Sequence, residues 1–283
     1  MQAPILNQID ELLSRIKNLP PAPQILPPLL KALGEDDTNL DRIADMVSFD
    51  PALTAKLLTT CNSAFFARRV KIESVAGALQ QLGLQTVYRI VASSTGALLF
   101  KPSSDSANSF ANEWWRHSVM TAFAAQFVAE DMQVQTGVMF TAGLLQDIGR
   151  VILLEEYKDD YVTLLTEDGL TEAQLAGRES VAFGVNHSEI GGRLLEKWRF
   201  SPMMVLSVIA RNDPLKAPDG NIRRMAACLH LGNSLAKSIE AGNDEVTVPI
   251  SVQILNRSAV DIVRYTDLIR ENMNFVEALC RLR

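Results

Sequence analysis

The chain has 283 residues, 47% of them hydrophobic, which is enough for one large core or two smaller ones and argues against wholesale disorder. Its formal net charge of -6 argues against broad nucleic-acid binding, because such binding needs a basic surface that neutralises phosphates. Its three cysteines fit neither a zinc site nor a disulfide framework, so we expect a reducing, cytoplasmic environment. We expect no membrane contact, since the N-terminus lacks a signal-peptide layout and no apolar run reaches the length of a membrane span.

Helical periodicity dominates the N-terminal part. A first apolar stripe at helical spacing consists of Ile5, Ile9, Leu12, Leu13 and Ile16. The proline-rich run 19–23 blocks helix continuation, because proline lacks an amide proton and clashes with the preceding turn. Asp50-Pro51 indicates a helix start, since Asp accepts the unpaired amides and Pro fits the first helical position. The other predicted helices end near Leu33, run from Asn39 or Thr38 through Met46, and cover about 52–62, 74–82 and 85–100.

The C-terminal part is also predicted to be helical. The run 101–108, KPSSDSAN, is the best linker candidate, so we expect an N-terminal helical subdomain at 1–103 and a second subdomain at 104–283. Only Val246 to Ile254 alternates like a strand, and Pro249 interrupts it. The predicted helices cover about 111–132, 141–152, 222–239 and 260–279, and three more start at Thr171, Asn186 and Ser201. The sequence therefore predicts an all-α protein of two packed parts.

The stretch Thr141 to Ile152 combines an apolar helical face with two polar residues. Its apolar positions at helical spacing are Leu144, Leu145, Ile148, Val151 and Ile152. Gln146 and Asp147 lie in their midst. A carboxylate there must be hydrogen-bonded, paired or metal-bound, because an unpaired buried charge is costly. The question is whether the rest of the chain supplies further metal ligands.

Several motifs together resemble the HDOD family. They are LPPAP at 19–23, DPALTAKLL at 50–58, NSAFF at 62–66, GLLQDIG at 143–149, GVNH at 184–187 and LEKW at 195–198. The resemblance covers about residues 15–212, and the remaining C-terminal stretch looks like a variable tail. It implies a bacterial signalling or output domain. Its second subdomain would resemble an HD-type metal phosphohydrolase whose catalytic residues have been lost.

The resemblance also allows the active-site positions to be checked. In active HD phosphohydrolases, histidines and aspartates hold one or two divalent metals that activate water against a phosphoester. The candidate ligands that match are His117, Asp147 and His187. The positions where a ligand is replaced are Gln146, Arg211, Asn212 and Asn233. Because several ligands are lost together and a fixed charge at Arg211 would repel a divalent cation, we expect no catalytic residue, no bound metal and no cofactor.

Each matching residue also has a structural interpretation. His117 follows two tryptophans on a predicted helix and fits a hydrogen-bonded core histidine. His187 follows Asn186 at a helix start and fits a residue that caps or shields that terminus. Asp147 fits an ion pair with Arg150, three residues on, or with Arg211 across the pocket, in which case a cation would replace the metal.

Three functional hypotheses follow. The first is a non-catalytic signal-transduction module that acts through protein–protein contacts, for which the resemblance implies a kinase, a cyclase or a taxis component as partner. The second is a residual metal-dependent phosphohydrolase or nucleotide phosphodiesterase. The third is a pocket that binds a nucleotide without cleaving it, with Arg211 holding a phosphate. Metal content separates the first two hypotheses, and a thermal-shift screen against nucleotides separates the first from the third.

Overall fold

The structure is a computed structural model. It describes residues 3–16, 19, 21–35, 38–63, 65–66, 71–102, 108–167, 169–218, 220–243 and 249–283. Within these ranges every regular element is a helix, so the predicted all-α fold is confirmed. The helices of the N-terminal part are α1 (Ala3–Arg15), α2 (Leu26–Leu33), α3 (Leu40–Ser48), α4 (Pro51–Cys61), α5 (Val75–Leu82) and α6 (Leu84–Leu99).

The C-terminal part is also built from helices. They are α7 (Asn108–Asp131), α8 (Thr136–Leu145), α9 (Ile148–Leu165), α10 (Glu172–Phe183), α11 (His187–Lys197), α12 (Pro202–Ala210), α13 (Gly220–Glu240), α14 (Pro249–Leu255), α15 (Ala259–Glu271) and α16 (Met273–Cys280). A short 3-10 turn, Pro214–Lys216, lies between α12 and α13. Helix α7 is buried along most of its length and packs against α8 and α13, so it forms the axis of this part.

The predicted helix starts are confirmed at their caps. The Asp50 carboxylate accepts hydrogen bonds from the amides of Ala52 and Leu53. Capping boxes begin α10 at Thr171 and α11 at Asn186, as the sequence predicts. These caps fix where α10 and α11 begin, and both helices start beside the site described below.

The continuous helix predicted at 141–152 was wrong, because the chain breaks it at Gln146 and Asp147. Helix α8 ends at Leu145, and Asp147 has a φ of -99° and a ψ of 8° before α9 begins at Ile148. The turn directs both polar side chains into the interior, where each finds partners. An apolar periodicity that continues on both sides of a two-residue turn cannot reveal that turn.

Two further predictions were wrong near the C-terminus. The strand predicted at Val246 to Ile254 is helical from Pro249 onward, where proline occupies a first helical position, and residues 246–248 lie outside the described ranges. The helix predicted at 260–279 is divided into α15 and α16 at Asn272, whose side-chain amide donates to the Leu268 carbonyl oxygen at 2.8 Å. The core of the predicted linker, residues 103–107, also lies outside the described residues.

Helices α8 and α9 together form a long apolar stretch. Contrary to the expectation from sequence, the stretch Thr136–Leu165 is long and apolar enough to cross a membrane. The whole of its most apolar window is nevertheless buried inside the protein. These two helices therefore pack in the core.

Glycines allow the central helices to approach closely. A Cβ atom on Gly143 would lie 2.5 Å from the Ala122 Cα, and one on Gly232 would lie 2.7 Å from the Ala125 nitrogen. Both contacts are far shorter than real Cβ contacts, so α8 and α13 can lie against α7 only with glycine at these positions. Gly143 precedes Gln146 by one turn and Gly232 precedes Asn233 directly. The close crossings therefore bring these polar residues toward α7.

The two sequence-defined parts share one hydrophobic core. Phe66 of the N-terminal part packs edge-on against Phe275 of α16, with 5.1 Å between ring centroids. The Arg89 side chain donates to Gln126 of α7 at 3.0 Å. At the other end, Arg193 of α11 forms a 2.6 Å ion pair with Asp10 of α1. Contacts between the parts thus occur at several separated points.

Candidate functional site

The structure brings all of the site residues predicted from sequence into one buried, hydrogen-bonded network. Helix α7 supplies His117, the α8–α9 turn supplies Gln146 and Asp147, α11 supplies His187, the end of α12 supplies Arg211 and Asn212, and α13 supplies Asn233. We call the charged part of this network the ion cluster. Its members are Asp147, Arg150, Glu172, Glu179, His187, Arg211 and Lys237.

Asp147 is the centre of the ion cluster. One of its oxygens, Oδ1, accepts from Arg150 Nε at 2.9 Å and from Arg211 Nη2 at 2.7 Å. Asp147 and Arg211 are each only 1% exposed. Burial by itself raises the pKa of the Asp147 carboxyl, but the two guanidinium groups outweigh burial and hold this pKa well below its usual value. Both ion pairs suggested by the sequence are therefore present.

Glu172, the first residue of α10, extends the cluster toward the surface. Its Oε2 accepts from Arg150 Nη2 at 2.5 Å, and its other oxygen is bonded by the Lys237 ammonium group of α13. Burial favours a raised pKa for this carboxyl, but Arg150 and Lys237 reverse the effect and keep the pKa well below its usual value. Arg150 thus bridges two carboxylates through different nitrogens of its guanidinium group.

His187 is bound by a second carboxylate of α10. Its Nδ1 lies 2.5 Å from Glu179 Oε2, which also accepts from the His187 backbone amide at 2.9 Å. The other oxygen of Glu179 accepts from the Tyr161 hydroxyl at 2.7 Å. Glu179, His187 and Tyr161 are fully buried. His187 therefore begins α11, as its sequence position suggests, but its ring is held inside the protein.

Arg211 and Asn212 complete the cluster on the α11 side. Arg211 Nη1 donates to the Ser188 hydroxyl at 2.7 Å, and Asn212 Nδ2 donates to the same oxygen at 3.0 Å. Asn212 Nδ2 also lies 3.4 Å from His187 Nε2. Arg211 and Asn212, at which the sequence resemblance implies lost metal ligands, therefore form hydrogen bonds within the protein.

His117 occupies a neighbouring polar pocket. Its Nδ1 lies 2.8 Å from Glu240 Oε2, and its Nε2 lies 2.8 Å from Asn233 Oδ1, which also accepts from Gln146 Nε2 at 3.1 Å. Both ring nitrogens face oxygen acceptors, an arrangement that suits the doubly protonated ring. Burial lowers the pKa of His117, but the hydrogen bond and charge of Glu240 outweigh it and raise this pKa above 6.5.

Sequence reasoning missed four carboxylate and cation positions: Glu172, Glu179, Lys237 and Glu240. Two of them had a readable signal. Glu172 and Glu179 are seven residues apart on α10, and the buried Leu175 and Ala176 lie between them on the same face. Carboxylates on the buried stripe of a helix require buried partners. Lys237 and Glu240 lie near the end of a long helix and had no such signal.

The donor set does not fit a divalent metal. Ligand atoms of Asp147, Glu172 and His187 lie within 4.8 Å of one another, which is close enough for a shared ion. However, oxygens of both carboxylates already accept from the guanidinium groups of Arg150 and Arg211. A metal would have to displace these cations or lie beside them. Among the residues described, Gln146 Oε1 is buried without a hydrogen-bond partner, and one amide oxygen cannot replace the occupied carboxylates.

The carboxylates of this region have partners without a metal. Arg150, Arg211 and Lys237 bind Asp147 and Glu172, while His187 and His117 contact Glu179 and Glu240. Each anion in this set is in contact with a cation or a hydrogen-bond donor. Chemically, the arrangement can hold helices α9 to α13 in fixed positions. It offers no exposed nucleophile or open metal position among these side chains.

Comparison with known proteins agrees with this description. The HDOD domain family matches residues 19–214. A solved HDOD domain protein of unknown function from Geobacter sulfurreducens is 22% identical, with a TM-score of 0.72, and covers 98% of this chain and 96% of its own. A candidate phosphohydrolase from Shewanella amazonensis SB2B is 21% identical, with a TM-score of 0.70 and coverage of 96% and 97%.

Two further relatives differ in length from this chain. A candidate signal transduction protein from Marinobacter aquaeolei VT8 is 19% identical, with a TM-score of 0.75, and the match covers 98% of this chain and 65% of that one. An uncharacterised protein of Treponema pallidum (strain Nichols) is 21% identical over 205 residues, which are 72% of this chain and 40% of the relative. The structural similarities establish the fold, and the family match covers more than half of the sequence. The chain belongs to the HDOD family.

Proposed function

We propose that this chain is a non-catalytic signal-transduction module that acts through protein–protein contacts. The observation that supports this most directly is that Asp147 Oδ1 accepts hydrogen bonds from both Arg150 and Arg211. A metal-dependent phosphohydrolase of this type would need that carboxylate as a ligand, together with an open coordination position for water. Two fixed cations on one oxygen are incompatible with that role.

The same cations give the module a rigid frame. Glu172 and Glu179 tie α10 to α9, α11 and α13, while Arg211 ties the end of α12 to Asp147 and Ser188. A rigid frame can present a constant surface to a partner, which lowers the ordering cost of binding. We propose a cytoplasmic signalling protein as partner, such as a kinase, a cyclase or a taxis component.

A residual phosphohydrolase is the second candidate, and one observation favours it. Asp147, Glu172 and His187 lie close enough together to share an ion if the guanidinium groups move away. The predicted nucleotide pocket at Arg211 has less support, because both terminal nitrogens of this buried side chain already donate within the protein. A phosphate at Arg211 would have to displace these contacts.

The decisive experiment is a hydrolysis assay on the purified protein with manganese, zinc or nickel in excess. Phosphate release from nucleotides and opening of cyclic dinucleotides would be measured, together with the metal content of the protein. The control is Asp147→Asn, which removes the charge of the central carboxylate and keeps its size. We expect wild type and Asp147→Asn to equal the metal-only blank. Turnover in wild type that is lost in Asp147→Asn would show that the phosphohydrolase is the correct function.

A further arm tests the role assigned to the cations. Gln146→His restores a histidine next to Asp147 but leaves Arg150 and Arg211 on its carboxylate. We expect no turnover, because the added imidazole does not free an anionic ligand. Metal-dependent turnover in Gln146→His would mean that the missing histidine, and not the two cations, had been the defect.

A further inference from the structure

A cleft of about 730 Å³ lies between helices α4 and α16. Small-molecule sites typically have volumes of roughly 300–1,000 Å³. One wall comes from α4 and the residues that follow it, including Lys56, Ser63 and Phe65, and the other comes from α16 and its end, including Glu277 and Arg281. The cleft shares no residue with the ion cluster, so the inference drawn from it does not rest on the function proposed for that cluster.

Local contacts hold the walls of the cleft in place. Asn62 ends α4, and its side-chain amide both donates to the Ile72 carbonyl oxygen at 2.8 Å and accepts from the Ile72 amide at 2.9 Å. The Phe65 ring stacks on Phe275 of α16, with 5.4 Å between centroids and 19° between planes. The two walls are thus joined through an aromatic contact at the edge of the cleft.

The cleft carries polar groups that no other described residue uses. Lys56 and Arg281 lie on opposite walls, and neither forms an ion pair with a residue that the structure describes. The Ser63 hydroxyl oxygen is buried and has no hydrogen-bond partner within the described ranges. In a chain with a net charge of -6, two unpaired cations across a cleft form a local site for an anion. Arg supplies a forked donor and Lys a point charge, and both groups bind phosphate.

Two other residues restrict the chemistry of the ligand. Glu277 precedes Arg281 by one helical turn and also lines the cleft, so a ligand that is anionic throughout would be repelled. A carboxylate in that position accepts hydrogen bonds from hydroxyl groups. The Phe65 side chain is 44% exposed and offers an apolar face. The ligand should therefore combine an anionic group, hydroxyl groups and a flat or apolar part.

We propose that the α4–α16 cleft binds a small phosphorylated molecule that carries hydroxyl groups, with its phosphate between Lys56 and Arg281 and a hydroxyl on Glu277. Sugar phosphates and nucleotides share this chemistry, and they differ in whether a planar base lies against Phe65. The matched HDOD region ends at residue 214, so α16 lies outside it, whereas α4 lies inside. A ligand in this cleft would contact α4, which lies within the matched HDOD region, and α16, which lies outside it.

The test measures binding of ribose 5-phosphate, AMP and adenosine to the full chain by calorimetry and thermal shift. The test variant is the double substitution Lys56→Met with Arg281→Met. The control is Lys31→Met with Arg224→Met, which removes the same amount of charge from exposed positions of α2 and α13. We expect both phosphates to bind wild type and the control, and adenosine to bind much more weakly.

The double substitution should weaken phosphate binding about 100-fold, because each charged hydrogen bond contributes about tenfold. If AMP binds more tightly than ribose 5-phosphate, and if Phe65→Ser reduces its affinity to that of ribose 5-phosphate, the ligand is a nucleotide. Equal binding of the two phosphates identifies a sugar phosphate. The proposal would be overturned if neither phosphate bound at millimolar concentration. It would also be overturned if the test and control variants lost the same amount of phosphate affinity.

Discussion

Two guanidinium groups share one oxygen of Asp147, and the energetics of this contact are asymmetric. A complete buried ion pair contributes little net stability, because desolvation of both partners offsets their attraction. Removal of one partner leaves the other charge buried alone, and that state is strongly unfavourable. Arg150 remains next to Asp147 in any variant of Arg211, so the loss at Arg211 is partly compensated.

We predict that Arg211→Met lowers the free energy of unfolding by about 2–3 kcal/mol, because it removes charged hydrogen bonds to Asp147 and Ser188 while Arg150 stays on Asp147. Urea denaturation measures this change. Adding Asp147→Asn to the same chain should restore part of the loss, since the carboxylate that has lost one of its two cations is then removed as well. A single variant as stable as wild type would contradict the pairing of Arg211 with Asp147.

His117 gives the protein a pH-dependent contribution to stability. Glu240 raises the pKa of His117 above its ordinary value of 6.5, so the folded protein binds this proton more tightly than the unfolded chain does. The stabilisation is complete below the unfolded-state pKa and is lost as the pH rises through the folded-state pKa. Besides Glu240, the groups that face the ring are Asn233, Thr121 and, through its charge, Asp147.

We predict that Glu240→Gln destabilises the protein by about 1–3 kcal/mol at about pH 6, where the His117 ring is protonated. The difference from wild type should shrink toward about pH 9, because the neutral ring gains less from a carboxylate. Denaturation at several pH values measures this difference. Glu271→Gln, a change of an exposed carboxylate on α15, is the control and should show no such pH trend. A constant difference across the range would rule out a charged His117.

At the scale of residues, the sequence predicted which residues form the site, but not which carboxylates bind them. The positions of His117, Asp147, His187, Arg211 and Asn233 could be read from the resemblance, and the structure places them in one network. The carboxylates that bind His187 and His117 come from α10 and from the end of α13, respectively. Their pairing depends on how distant helices pack, and sequence spacing alone does not encode that packing.

Helix α10 is held in place largely by the ion cluster. Its apolar buried residues are few, and its two inward carboxylates bind Arg150, Lys237 and His187. The opposite face is solvent-exposed, including Val181 at 87%. An element with few apolar contacts opens more easily than the core when its polar contacts are removed.

We predict that Glu172→Gln weakens hydrogen-exchange protection in α10 before it affects α7, because it removes the charged partner of Arg150 and Lys237. The loss of stability should be about 2–3 kcal/mol, as expected for hydrogen bonds to charged groups. Glu167→Gln is the matched control, since Glu167 pairs with Arg178 at the surface and should contribute less than about 1 kcal/mol. Equal effects in the two variants would mean that Glu172 does not hold α10.

At the scale of elements, caps were predictable and breaks were not. Asp50, Thr171 and Asn186 are local signals, since each side chain bonds amides within the next three residues. The break at Gln146-Asp147 depends on tertiary packing, because a Cβ on Gly149 would lie 2.0 Å from the His187 carbonyl oxygen, so contact with α11 fixes where α9 begins. The break at Asn272 involves a local contact with Leu268, which the apolar periodicity does not reveal.

The two parts of the molecule are predicted to fold as one cooperative unit. Residues Phe66, Tyr88 and Arg89 of the N-terminal part contact Phe275, Thr141 and Gln126 of the C-terminal part. A fragment that ends at residue 103 would expose these contact surfaces to water. Apolar surface exposed in this way promotes aggregation.

We predict that residues 1–103 expressed alone aggregate or lack a cooperative thermal transition. The measurement is the soluble fraction and the thermal melt of the fragment beside those of the full chain. Co-expression with residues 104–283 is the control, and it should restore solubility because the missing surfaces are then covered. A soluble fragment with a sharp melting transition would show that the N-terminal part is an independent domain.

The cations on Asp147 have a consequence for how stability responds to the surroundings. A dissociable ion stabilises a fold by an amount that follows its free concentration, through mass action. Arg150 and Arg211 are part of the chain, so their concentration at Asp147 is fixed by the fold and cannot be depleted by dilution or by a chelator. The supply of a divalent metal therefore has no influence on this contact. Protonation of Asp147, in contrast, acts on the chain itself and would weaken both ion pairs.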